Sequence, residues 1–240
     1  MCRKLWIPIV AVAALAVLAG GGAYVYYFSG LRTAPATLAL SSPSATASTT
    51  PAGTATASGG TWTVMTGSLA GYRVKEQFVG QSSAHEAVAR TSEVTGQVSI
   101  AQSGGAYRMT SATVTVQLRS LASVDQVAGY NVTNRDRIVQ GSLNVSSFPT
   151  AVFVAQPVAL PAGVETGQAV TVTVPGQLTI HGVTKDVTAT LQLRVSGATA
   201  QIAGTIATNM TDFGISPPNI GFTTVQPATT IEVSLNLAQT

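Results

Sequence analysis

From Thr61 onward the chain alternates between apolar and polar positions. Val114, Val116 and Leu118 are separated by Thr115 and Gln117, and Val170, Val172 and Val174 by Thr171 and Thr173. Ala189, Leu191, Leu193 and Val195 alternate with Thr190, Gln192 and Arg194, and Ile231, Val233, Leu235 and Leu237 with Glu232, Ser234 and Asn236. A period of two gives a strand one apolar and one polar face. Less regular runs at 72–79, 88–100, 151–160 and 200–209 predict further strands. Ser103-Gly104-Gly105, Pro161-Ala162-Gly163, His181-Gly182, Ser196-Gly197 and Ser216-Pro217-Pro218 punctuate them as turns. Only 125–145 reads as partly helical, with Asn134 as a cap before Arg135. About eight antiparallel strands with one oily face form a sandwich or close into a barrel. Alternation alone does not separate the two, but a closed barrel of about eight strands is wide enough to hold one small ligand.

The start of the chain follows a different pattern. Leu5 to Phe28 is almost uninterrupted apolar sequence, long enough to cross a hydrocarbon core of about 30 Å as a helix. Arg3 and Lys4 precede it, which places the N-terminus in the cytoplasm, and Tyr24, Tyr26 and Tyr27 suit the outer interface. A cleaved signal peptide is the alternative, with Val17 and Ala19 before Gly20 as the small-residue site. The apolar run continues past that point, which favours a retained anchor. Residues 33–60 are nearly all Ala, Thr, Ser, Pro and Gly without a charge; such a segment buries too little to offset its ordering entropy and reads as a disordered stalk. The expected organisation is an anchor at 1–32 with its helix at about 5–28, a stalk at 33–60 and an all-β domain at 61–240. It implies a single-pass cell-membrane protein with an extracytoplasmic C-terminal domain.

Composition narrows the chemistry. Charged residues make up 9% of the chain, against about 25% in an average globular protein. Three of the 12 basic residues (Arg3, Lys4 and Arg32) precede the domain, and the nine that remain balance nine acids. No basic face with interleaved aromatics is visible, so a nucleic-acid partner is not expected. Cys2 is the only cysteine, which excludes an intramolecular disulfide and a CxxC metal site. His85 and His181 are the only histidines, too few for a His-rich zinc centre. No G-x-S-x-G elbow, phosphate-binding glycine loop or paired carboxylates appear. These absences argue against an enzyme, a metal or a cofactor. Arg135-Asp136-Arg137 is the densest charge cluster of the domain. It reads either as a fork for a ligand's anionic head group or as a charged helix start with its Asp near the N-terminus. Asn131, Asn144 and Asn209 each begin a glycosylation sequon.

Several stretches together resemble a known family: GSLAGYRVKEQF (67–78), AVARTSEVTGQV (87–98), NRDRIV (134–139), FPTAVF (148–153), GQLTIHGVTKDV (176–187), TDFGISPP (211–218) and TIEVSLNL (230–237). In this order they resemble the YceI-like family of polyisoprenoid-binding, lipocalin-like barrel proteins, and LTIHGVTKDV is the most specific of them. The resemblance implies a closed antiparallel barrel with a long apolar channel for an isoprenoid or quinone-like lipid. The alternating side chains then become channel candidates: Phe148, Phe153, Leu178, Ile180, Leu191, Leu193, Ile202, Ile206 and Phe213, with Arg135 and Arg137 at the head group. The competing expectation is a structural or interaction module on a stalk, with a filled core and the loop at 208–224 as its contact surface. Monomer and homodimer both remain open.

Overall fold

The structure is a computed structural model that describes residues 34–42, 59–80, 84–127, 132–219, 221 and 223–240. The expected membrane helix at 5–28, most of the stalk and Asn131 lie outside these residues. Among the described residues no helix is long and apolar enough to cross a membrane.

Twelve strands form among the described residues: β1 (Gly60–Val64), β2 (Leu69–Phe78), β3 (His85–Thr91), β4 (Val94–Ser103), β5 (Ala106–Gln117), β6 (Ala122–Ser123), β7 (Thr150–Ala155), β8 (Val158–Ala159), β9 (Val170–Ile180), β10 (Val183–Ser196), β11 (Thr199–Asn209) and β12 (Thr223–Gln239). Eight of them close a ring in the order β1, β4, β5, β7, β9, β10, β11, β12, with β12 returning to β1. All pairings are antiparallel, and the seam sets Trp62 opposite Gln239 and Val64 opposite Leu237. Closure removes the unpaired edges that an open sheet leaves. The arrangement is therefore the barrel, not the sandwich.

β12 is long enough to serve two partners. Its C-terminal part pairs with β1, and its earlier part pairs with β2, where Ser234 faces Leu69 and Thr223 faces Phe78. β3 and β6 continue from β2. These strands raise the wall at one end of the ring, where the helix α1 (Val132–Ser142) packs on β6.

The structure departs from the sequence pattern in four places. The run at 88–100 is two strands. A tight turn, with Val94 N–H on the Ser92 carbonyl at 2.9 Å and Glu93 N–H on Thr91 Oγ1 at 3.0 Å, separates β3 from β4. The two strands then join different neighbours. The run at 151–160 breaks at Gln156-Pro157, where proline has no N–H to give to a ladder. Asn134 lies inside α1 and is not its cap. Finally, part of the expected stalk is docked: residues 34–42 lie along the outside of the barrel, their carbonyl oxygens held by Arg73, Arg90 and Arg194. Leu38 and Leu40 are the segment's only large side chains, and barrel side chains supply most of the polar anchoring.

The hairpin between β9 and β10 turns at His181 and Gly182, both with positive φ (54° and 74°), the pair of left-handed residues that a two-residue hairpin favours. Gly182 is needed twice over, because a Cβ there would sit 2.6 Å from the Phe148 ring.

Candidate functional site

Inward-facing side chains of the barrel enclose a cavity of about 600 Å³. Close-packed interiors leave few voids larger than one water, about 30 Å³, whereas ligand pockets run from roughly 300 to 1,000 Å³. This hollow is therefore not a packing defect. Its origin is in the sequence of the inner face. Ala70, Ala112, Ala155 and Ala189 all line it and are all buried. Short side chains at these positions do not reach the centre of a ring this wide. Around them stand Val74, Val114, Phe153, Leu178, Leu191, Ile202, Ile206 and Ile231.

The two ends differ. One is sealed by Trp62, Tyr107, Val164 and Leu237, all buried, which border a separate hollow of only about 70 Å³. The other is the mouth. It is bordered by Phe78 at the end of β2, Thr223 at the start of β12, Pro218, and Asn134 and Arg135 of α1.

Polar groups gather at the mouth. Asp125 accepts from Val88 N–H (3.0 Å), pairs with His85 Nε2 (2.7 Å) and receives Arg135 Nη2. Arg135 also reaches Glu76 at 3.3 Å and Ser123 Oγ at 3.1 Å. Asp136 meets it at Ser123, accepting from both the Ser123 N–H (3.0 Å) and its hydroxyl. Burial alone would raise the Asp125 carboxyl, but the hydrogen bonds from His85, Arg135 and Val88 outweigh it and hold the group down at about 2. For Glu76 burial wins over the attraction of Arg135, and its pKa is raised. Burial likewise raises the Tyr72 phenol, with Arg135 opposing it. Burial works against the Arg135 charge too, but its bond to Asp125 and the fields of Glu76 and Asp125 overcome that and raise its pKa. Glu76, Tyr72 and Arg135 border the cavity. Thr223 also lines it, and its buried hydroxyl has no hydrogen-bond partner.

Of the channel candidates, Phe153, Leu178, Ile180, Leu191, Ile202, Ile206 and Phe213 line the cavity. Leu193 lines the small hollow at the sealed end instead. Phe148 lines neither and packs edge-on against His181, with ring centroids 5.1 Å apart. Arg135 faces the mouth, whereas Arg137 is exposed and away from it. Sequence reasoning did not find Glu76, Tyr72, Asp125 or Thr223. They stand singly in the chain, and only the fold brings them together. The inward alanines carried a readable signal, a small residue where the alternation calls for a large one. Among the described residues no group of His, Cys, Asp or Glu is arranged to hold a metal ion.

The chain matches the model of the YceI-like domain over residues 52–237. A solved polyisoprenoid-binding domain from Saccharophagus degradans is similar in structure, with a TM-score of 0.52 and 13% identity over 75% of this chain and 98% of its own. BcnA of Burkholderia cenocepacia aligns over 69% of this chain and 95% of its own at 22% identity and a TM-score of 0.46. A Campylobacter jejuni YCEI protein aligns over 68% and 84% at 16% identity and a TM-score of 0.36. A comparison with curated proteins found no match.

Proposed function

Because the chain belongs to the YceI-like family, we propose that its barrel binds an isoprenoid-type lipid and holds it at the outer face of the cell membrane, to which the apolar segment at 5–28 anchors it. The observation that carries this reading is the cavity of about 600 Å³ with its almost wholly apolar wall. The similar domain from Saccharophagus degradans is a polyisoprenoid-binding one, and its likeness supports the choice of ligand. A module built only to display its surface would fill such a space with side chains.

The physical mechanism is burial. An isoprenoid tail has little to hydrogen-bond, and each Å² of it removed from water contributes about 25 cal/mol. The wall therefore sets size and polarity and reads little else. Orientation comes from the mouth, where Tyr72, Thr223 and Arg135 offer hydrogen bonds to a polar head. Arg135 is already paired with Asp125 and Glu76, so it acts as a donor and not as a free positive charge. This favours an uncharged head of the prenol or quinone type.

The test is organic extraction and mass spectrometry of residues 34–240, which include the docked segment and the barrel, purified from an exporting bacterium. The expected result is one polyprenyl species in a stoichiometric amount. Loading with mixed fatty acids, or an empty protein that also fails to take up added prenol or quinone, would overturn the reading.

A further inference from the structure

The docked segment has a direction. Arg73 donates to the Pro35 carbonyl and Arg90 to the Ala36 carbonyl, and Leu38 N–H reaches Glu232 Oε2 at 3.2 Å. Further on, Ser41 accepts from Arg194 at 2.7 Å. Glu232 is the centre of this arrangement. It is fully buried on the outer face and binds both Arg73 and Arg90 at 2.7 Å. Pairing across the sheet gives the height of each contact. Arg73 lies opposite Thr230 of β12, and Arg90 is level with Glu232 through Gly71. Arg194 and Gln201 are level with Asn236. The mouth lies at Thr223 and the sealed end at Leu237. The segment thus enters from the mouth side and runs toward the sealed end.

Beside its polar groups, the described part of the mouth also carries exposed apolar side chains. Phe78 closes over the cavity, and the next residue, Val79, is 74% exposed. Val124, beside the Asp125 cluster, is 44% exposed. Of the other exposed large hydrophobics among the described residues, Val154 stands on the side of the barrel in β7, and Met65 follows β1 at the level of Asn236, toward the sealed end.

We propose that the docked segment at 34–42 holds the barrel with its mouth against the lipid bilayer, so that the rim carrying Val79 and Val124 is a membrane-contact surface. This rests on the anchor reading of 5–28 and deepens it. A free spacer of roughly 30 residues between anchor and β1 would leave the barrel at about 30 Å on average and in any orientation. With the chain fixed on the barrel from Ala34, only Ser29 to Thr33 remain, and they span at most about 18 Å. The anchor then leaves the barrel on the mouth side, and the sealed end points away. A lipid moves between bilayer and cavity without its tail crossing water.

The test uses the full-length chain with Cys2→Ser, reconstituted in vesicles of phosphatidylcholine with brominated acyl chains. A bimane fluorophore is placed at Val79→Cys or, near the sealed end, at Ala198→Cys; both sites are exposed. The expected result is that the chain floats with the vesicles, that the label at 79 loses most of its emission to bromine, and that the label at 198 keeps it. Inserting about twenty Gly and Ser residues between Thr33 and Ala34 lengthens the link without touching the fold, and it should restore emission at 79. A chain that does not float overturns the anchor reading and the orientation with it. A chain that floats with both labels equally quenched, or with 198 the more quenched, overturns the orientation and leaves lipid binding standing. Quenching at 79 that survives the insertion overturns the role of the docked segment.

Discussion

Arg135 and Arg137 show what two positions on one helix can hide. Residues two apart on a helix point about 200° from each other. Arg135 therefore faces the mouth while Arg137 faces solvent. The sequence marks both as one charged cluster and gives no signal of which acids lie opposite, because Glu76 and Asp125 come from other elements. Asp125→Asn would leave the buried His85 and the part-buried Arg135 without their shared acid, and breaking a buried ionic pair costs about 3–5 kcal/mol. Urea denaturation at pH 7 measures that loss. The pH dependence has two signs. The Asp125 carboxyl is held down at about 2, against an ordinary 3.8. Its contribution is present above the ordinary value and fades as pH falls toward 2. The Glu76 carboxyl is raised from 4.5, so the folded state holds its proton more tightly and its ionisation at neutral pH costs stability. Glu76→Gln is therefore expected to raise the melting temperature at pH 7, with the gain vanishing below about pH 4.5. A lower melting temperature at pH 7 would show that the bond to Arg135 outweighs burial.

At the scale of elements, the strands that face the cavity on one side and solvent on the other were the legible ones. β9 and β10 keep the alternation that their position imposes, whereas on β11 and β12 the outward-facing Ala203 and Glu232 are buried as well. The runs at 88–100 and 151–160 misled because alternation survives a turn or a break when the pieces on both sides remain half-buried. Glycine positions within strands carried information of another kind. Gly204 of β11 faces Leu191 of β10, and a Cβ there would lie 2.1 Å from the Thr190 carbonyl oxygen. Only a residue without a side chain permits this approach of two backbones. Gly204→Ala must push β10 and β11 apart, with a cost of about 1–3 kcal/mol, the range for overpacking. A drop in melting temperature without any change in the far-ultraviolet spectrum is the expected record. An unchanged melting temperature would mean that the strands separate freely there.

Closure is a property of the whole molecule, and no local pattern states it. A sandwich and a barrel share their alternation, and the seam joins Trp62 to Gln239, the start of the ring to the end of the chain. What the sequence does hold is the consequence of closure for volume. Ala112 and Ala155 lie directly opposite each other on β5 and β7, and both line the cavity. In a filled core, enlarging either residue would strain its neighbours by about 1–3 kcal/mol. Here the added carbons enter a hollow, so Ala112→Leu and Ala155→Leu are expected to keep or raise the stability of the empty protein. The same substitutions take space from the lipid. A ligand that binds only the folded state stabilises it by RT ln(1 + [L]/Kd), about 2.7 kcal/mol at a hundredfold excess over Kd. Added prenol or quinone should therefore raise the melting temperature of the wild-type barrel and raise that of the double variant much less. The comparison separates the two uses of the space. A variant that melts early yet gains the full shift would mean that the alanines serve packing and that the lipid sits elsewhere. A variant that is stable but insensitive to the lipid would identify the hollow as the site and the small residues as what keeps it open.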